Sequence, residues 1–228
     1  MNIQELTIFT NRLAEQKQFY SEVLELDIVN ESKNFVVFSI GNSSLKLAKR
    51  TRLATPYHFA FNIPSNKEKD ALQWLKKRVS VLKMNDNEIQ DFDGWNAKAV
   101  YFYDIDNNIV ELIARKNLNN KSEEKFNQNS LLEISEIGIP TTNIEKEFDF
   151  LNKNYGLSIY DGGFDKFCAI GTETGLFIFI NKNVKGWYPM NDEAYSSDFN
   201  LEVTIDKEKY SIEYSNEKIK TVANNAPN

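Results

Sequence analysis

Histidine and cysteine are almost missing from this chain of 228 residues, which has one of each, His58 and Cys168. A single thiol rules out a disulfide within the chain and fits a reducing compartment. Cys168 lies in the apolar run Phe167-Cys168-Ala169-Ile170, where a free cysteine serves as a small buried hydrophobe rather than a nucleophile. Phosphate-loop, dinucleotide-fold and Ser-His-Asp signatures are also missing, so no organic cofactor is implied. Positive charge is in deficit. The net charge of −6 argues against nucleic acid as a partner, because phosphate binding needs a basic surface. The basic cluster Lys76-Lys77-Arg78 reads as a solvated helix face. No apolar run is long enough to span a bilayer, and Met1-Asn2-Ile3-Gln4-Glu5 lacks the basic start and apolar stretch of a secretory signal. The expectation is a soluble cytoplasmic protein that engages no membrane.

Aromatic residues, by contrast, are plentiful, with 16 Phe and 10 Tyr interleaved with aliphatic residues, enough for a sizeable core. Residues 6–9 read as a strand. Residues 11–24 read as a helix with Asn11 as its N-cap and Leu13, Phe19, Tyr20, Val23 and Leu24 on one face. Extended segments follow at 26–29, 35–40 and 45–48, with Gly41-Asn42 turning between the last two. This order, β, α, β, β, β, then recurs. Residues 58–63 read as a strand, 66–78 as a helix, and Val81-Leu82 starts an extended stretch. Residues 99–103 and 109–114 form a hairpin around the turn Asp104-Ile105-Asp106-Asn107-Asn108. Residues 116–130 are polar and aperiodic and read as a linker. A third cycle places a strand at 134–139, a helix at 143–155 and strands at 157–160, 167–170 and 176–180. An extra hairpin pairs 200–205 with 210–214, and residues 216–228 read as a frayed tail.

Three cycles of one order predict an α+β repeat architecture. Glu5 precedes Phe19 by the same interval as Glu136 precedes Phe150, which supports the repeat. The expected arrangement is two paired βαβββ modules in residues 1–115, forming a cupped mixed sheet, and a third module with the extra hairpin in 131–215. An unpaired third module would expose a sheet face and an edge strand, which predicts a homodimer.

His58 opens the second module and alternates with Phe59 and Phe61, so it faces away from them. Glu111 lies inside Ile109-Val110-Glu111-Leu112-Ile113, where a carboxylate is costly to bury unless paired. Glu5 opens the first module where His58 opens the second, and Lys46 stands where Glu111 stands. Taken alone, a single histidine at a strand start is ordinarily a satisfied structural residue, and Glu5 an exposed carboxylate. Glu136 has the place of Glu5 in module three, with no histidine beside it, and reads as structural. Trp74, Trp95 and Trp187 read as core, with pocket lining as the other role.

Tyr57-His58-Phe59-Ala60-Phe61-Asn62 and the run from Ala99 through Tyr103-Asp104-Ile105-Asp106-Asn107-Asn108 to Glu111-Leu112 resemble the signature strands of the vicinal oxygen chelate superfamily. That group includes glyoxalase I, the bleomycin- and fosfomycin-resistance proteins and the extradiol dioxygenases. The run Phe19-Tyr20-Ser21-Glu22-Val23-Leu24-Glu25-Leu26 resembles its first helix. The resemblance covers residues 1–115 and, more weakly, 131–180. It implies paired modules enclosing a pocket for a small molecule, with metal ligands from the first and last strands of the modules. Carried over, those ligands are Glu5, His58 and Glu111, with Lys46 at a fourth place. One histidine and two carboxylates suit Fe²⁺, Mn²⁺, Zn²⁺ or Ni²⁺. The resemblance then implies a glyoxalase-type lyase or isomerase acting on a substrate with vicinal oxygens, with Glu5 or Glu111 as catalytic base. The alternative is a metal-free binding or resistance protein, because Glu5 stands where relatives carry histidine and the Lys46 ammonium would oppose a cation. Extradiol cleavage fits less well, since no second histidine is present to transfer a proton.

Overall fold

A computed structural model describes residues 1–222. In Asn2–Thr10 (β1), Leu6, Ile8 and Thr10 are buried while Glu5 and Phe9 are partly exposed, the period-two pattern of a strand with one buried face. A helical segment follows, Leu13–Gln18 (α1), continued by a π turn over Phe19–Val23 that carries Phe19 and Tyr20 into the core. Asn11 does not cap it. The cap residue is Arg12, whose backbone N–H donates to Thr10 Oγ1 at 2.9 Å, while Asn11 Oδ1 accepts from the Ala54 N–H at 3.4 Å. Ile28–Ser32 (β2), Phe35–Ile40 (β3) and Ser43–Lys49 (β4) complete module one. Module two is His58–Ile63 (β5), Glu68–Lys76 (α2), Val81–Leu82 (β6), Gln90–Phe92 (β7), Ala97–Tyr103 (β8) and Ile109–Arg115 (β9). Module three is Glu133–Thr141 (β10), Ile144–Tyr155 (α3), Ile159–Gly162 (β11), Phe167–Thr172 (β12) and Gly175–Asn181 (β13). Three strands close the described chain, Phe199–Ile205 (β14), Glu208–Ser215 (β15) and Lys218–Val222 (β16). Part of the expected tail is therefore strand β16, paired with β15. Residues 223–228 of that tail lie outside the described residues.

The α+β class and the βαβββ modules are present, but the pairing of modules differs from the expected one. The first strands of modules two and three, β5 and β10, run antiparallel side by side. They join both modules into one 9-stranded mixed sheet, ordered β11-β12-β13-β10-β5-β9-β8-β6, with β7 on β8. Strand β1 pairs with β14 instead, so module one and the C-terminal strands form a separate 7-stranded sheet, β16-β15-β14-β1-β4-β3-β2. Two local causes produce this. The segment between modules two and three is docked, not free: Asn66 and Ser122 exchange two hydrogen bonds at 3.0 Å, Ser65 N–H donates to Asn120 Oδ1, and the Phe126 ring packs on Trp74. That path delivers β10 to the open edge of β5. The edge of β1 is then closed by the C-terminal strands, in which buried Leu201, Val203 and Ile205 alternate with more exposed residues. Module three is thus paired inside the chain through β10, while β11 and β6 remain the edges of the sheet.

Apolar residues of both sheets share one core with the three helices, from Leu6 and Phe38 through Phe59, Phe61 and Leu75 to Leu151 and Phe179. The Asp104–Asn108 turn locks module two onto module one. Asp104 Oδ1 accepts the backbone N–H groups of Asp106 and Asn108 at 2.9 and 3.0 Å, and Oδ2 accepts Asn108 Nδ2 and the Tyr20 hydroxyl at 2.7 and 2.8 Å. Asn108 Oδ1 in turn takes the N–H of Tyr57 at 2.8 Å, which fixes the start of β5 and so the position of His58. Burial pushes the Asp104 carboxyl up to about 6 against these bonds.

Candidate active site

The geometry of the site follows from strand register. In the parallel β5–β9 ladder Ala60 is level with Glu111, and in the antiparallel β5–β10 ladder the same Ala60 is level with Glu136. His58 is two residues before Ala60, so its side chain lies on the same face. One strand thus places a histidine between two carboxylates from its two neighbours. His58 Nε2 is 3.6 Å from Glu111 Oε2 and 3.8 Å from Glu136 Oε2. One ligand atom from each of the three lies within 4.8 Å of the others, and all three residues are buried. His58 Nδ1 lies 3.3 Å from the Ile109 carbonyl, a contact that aims Nε2 at the carboxylates.

Two buried carboxylates side by side need compensation. The last residue of β9 supplies it. Arg115 is wholly buried, donates from Nη2 to Glu136 Oε1 and from Nε to Asn62 Oδ1 at 3.2 Å, and lies over the Trp95 ring. Its Nη1 has no hydrogen-bond partner among the described residues. Glu111 has no such cation. Burial and the charge of Glu136 hold its carboxyl well above the usual carboxylate range, against the opposing hydrogen bond from Tyr101 and the more distant Arg115 charge. The Tyr101 hydroxyl is pushed up by burial and by both glutamates, so it stays a proton donor.

The triad forms the floor of a cavity of about 230 Å³. Its walls are largely aromatic, with Phe92, Trp95 and Tyr101 from module two, Phe167 from module three, and Trp187 and Tyr188 from the segment after β13. That segment crosses from module three back to module two. It is held there by Tyr188 Oη donating to Gln90 and Tyr103 Oη donating to Asp192, both at 2.6 Å. The Trp187 ring covers His58 at a centroid separation of 5.0 Å. Glycine is required beneath it, because a Cβ on Gly138 would stand 2.6 Å from two Trp187 ring carbons.

Of the sequence-derived ligands, His58 and Glu111 come together and Glu5 does not join them. Glu5 lies on β1 in the other sheet, where Thr7 and Ser44 hydroxyls donate to it at 3.3 Å and Lys46 Nζ stands 3.9 Å away. The strand that reaches His58 from outside module two is β10, so Glu136 takes the place expected for Glu5. From sequence, Glu136 is structural because its own module offers no histidine; the neighbouring module provides one. Arg115 is a further residue that sequence reasoning does not assign to the site, and of the three tryptophans Trp95 and Trp187 take the pocket-lining role while Trp74 packs on Phe126. The available signal is burial cost: Ile134-Ser135-Glu136-Ile137 is as apolar a setting for a carboxylate as that of Glu111.

No family model matches the chain. It is 32% identical over 117 residues to the metallothiol transferase FosB of Staphylococcus haemolyticus, a match covering 48% of this chain and 81% of that protein. A glyoxalase I mutant from Zea mays is similar in structure, with a TM-score of 0.57 at 13% identity, covering 93% of this chain and 87% of that one. A protein of Bacillus subtilis given provisionally as a dioxygenase has a TM-score of 0.60 at 15% identity, over 79% of this chain, which spans 63% of that protein's length. At such identities the two structures bear on the fold alone.

Proposed function

The chain belongs to the vicinal oxygen chelate superfamily, and from that premise we propose a divalent-metal-dependent enzyme of lyase or isomerase type, acting on a small molecule with two neighbouring oxygens. The observation that carries this reading is the convergence of His58, Glu111 and Glu136 on the floor of an aromatic cavity. The donor set fits an ion such as Fe²⁺, Mn²⁺, Zn²⁺ or Ni²⁺. Two buried carboxylates and an oriented imidazole nitrogen share one arginine, which is paired to Glu136, so a cation can take the place of the proton favoured on Glu111. The metallothiol transferase relative supports metal dependence by its name. When bound, the ion would act as a Lewis acid on the substrate oxygens.

The protein's own residues then have distinct tasks. The Ile109 carbonyl orients His58, and Arg115 holds Glu136 Oε1 so that Oε2 faces the site. Glu111 would be the third ligand, with the ion replacing the proton that burial beside Glu136 otherwise favours on its carboxyl. Tyr101 donates a hydrogen bond to it. The rings of Trp187 and Tyr188 keep water from the floor.

Metal analysis of the purified protein, followed by calorimetric titration of chelator-treated protein with Zn²⁺, Mn²⁺, Ni²⁺ and anaerobic Fe²⁺, tests this. One ion per chain is expected, with binding lost in His58→Ala and in Glu136→Gln. A folded wild-type chain that takes up none of the four ions overturns the reading in favour of metal-free ligand binding.

A further inference from the structure

The lining of the cavity includes a cation that the triad does not use. Lys185 lies on the segment after β13 and lines the cavity beside the aromatic wall. Its ammonium sits 5.0 Å from the centroid of the Phe167 ring. Among the described residues it forms no ion pair and no hydrogen bond. The other lysine of this segment, Lys182, is engaged by Glu217 and Ser196 at 2.6 and 3.0 Å. Asp161, the carboxylate at the same wall, accepts the Trp95 indole N–H at 2.6 Å and makes no bridge to Lys185. Lys185 is exposed as a residue, and the cavity wall on one side of its ammonium lowers the pKa by partial desolvation, with no carboxylate to offset the effect. A cation kept free at the edge of an apolar cavity is a ready partner for an anion.

The rest of the cavity restricts what carries that anion. At about 230 Å³ it is smaller than the roughly 300–1,000 Å³ of pockets that hold drug-sized ligands. Its walls offer ring faces and edges, with Ile178 and Ile180 behind them, and such walls favour a flat apolar body. We infer that the ligand is a small aromatic anion, held with its carboxylate or equivalent group at Lys185 and its ring against the Trp95, Phe167 and Tyr188 wall. The inference rests on reading this cavity as the substrate site, and it is independent of whether the triad holds a metal.

Three probes with one body test it: 3-phenylpropionate, 3-phenylpropan-1-ol and 3-phenylpropylammonium. Their affinities are measured by calorimetry and by quenching of tryptophan fluorescence, first with chelator-treated protein. The anion should bind about tenfold more tightly than the alcohol, the size of one charge-assisted contact in a partly desolvated setting. The ammonium compound should bind most weakly. Lys185→Met should bring anion and alcohol together, and Lys185→Glu should reverse the order of anion and ammonium. Equal binding of anion and alcohol in the wild type, an anion preference that survives Lys185→Met, or no binding of any probe at millimolar concentration overturns the inference.

Repeating the series with Zn²⁺ present separates this inference from the proposed function. An anion preference that arises only with Zn²⁺ and ignores Lys185→Met places the carboxylate on the metal; it overturns the role of Lys185 and leaves the metal reading intact. A Lys185-dependent preference in a protein that binds no metal supports the inference and overturns the metal reading.

Discussion

Replacing Arg115 by methionine should be the most damaging single change at the site. Side-chain exposure of the Arg115–Glu136 pair is 0% and 3%, so solvent does little to screen the charge left behind. Methionine fills much of the space of the arginine stem, which limits the packing loss. The dominant effect is then an uncompensated carboxylate next to a second one, Glu111. Breaking a buried pair in this way costs about 3–5 kcal/mol. The bond from Nε to Asn62 Oδ1 is lost as well, which adds on the order of 1 kcal/mol. Urea denaturation of chelator-treated protein, read at the midpoint with the slope checked for constancy, measures the loss. The double variant Arg115→Met with Glu136→Gln removes both charges. It should recover most of the stability, because the pair's net contribution over a neutral replacement is small. A loss below about 1 kcal/mol in the single variant, or a double variant as unstable as the two singles summed, would refute the view that Arg115 exists to hold Glu136.

Other expectations follow from the same geometry. The Asp104 carboxyl is raised to about 6 in the folded protein against about 4 in an unfolded chain, so the stability tied to its protonated form is fully present below pH 4 and is lost as pH rises through 6. The loss is on the order of 3 kcal/mol, and Asp104→Asn should flatten that part of a stability-versus-pH curve. A curve that does not differ from wild type between pH 4 and 7 would count against a buried, partly protonated Asp104. Gly138→Ala should push Trp187 off His58, at about 1–3 kcal/mol of stability, with a red-shifted tryptophan emission; an unchanged spectrum and midpoint would show that the ring is not packed there. Glu5→Gln should leave metal stoichiometry unchanged and stability within about 1 kcal/mol, because its Lys46 contact is long and both side chains are about 30% exposed. Loss of metal in that variant would return Glu5 to the site.

The strands and helices of each module were legible in the sequence because they depend on local periodicity. Alternation in His58–Ile63, the helical spacing around Trp74 and the Asp104–Asn108 turn are readable within a few residues. His58 and Glu111 were legible as a pair for the same reason: they belong to one module, and the parallel β5–β9 register is set by the chain between them. Which modules meet was not legible. β1 and β10 both open a module and both carry a glutamate at the corresponding place, so either edge satisfies the pattern beside β5. The choice rests on a docked connection, Asn66 with Ser122 and Phe126 on Trp74, and on the C-terminal strands that close β1. Only that long-range pairing brings Glu136 and Trp187 over to His58 and sets Arg115 against Glu136. It leaves Glu5 in the other sheet, because backbone hydrogen bonds at a strand edge do not depend on which side chains the incoming strand carries.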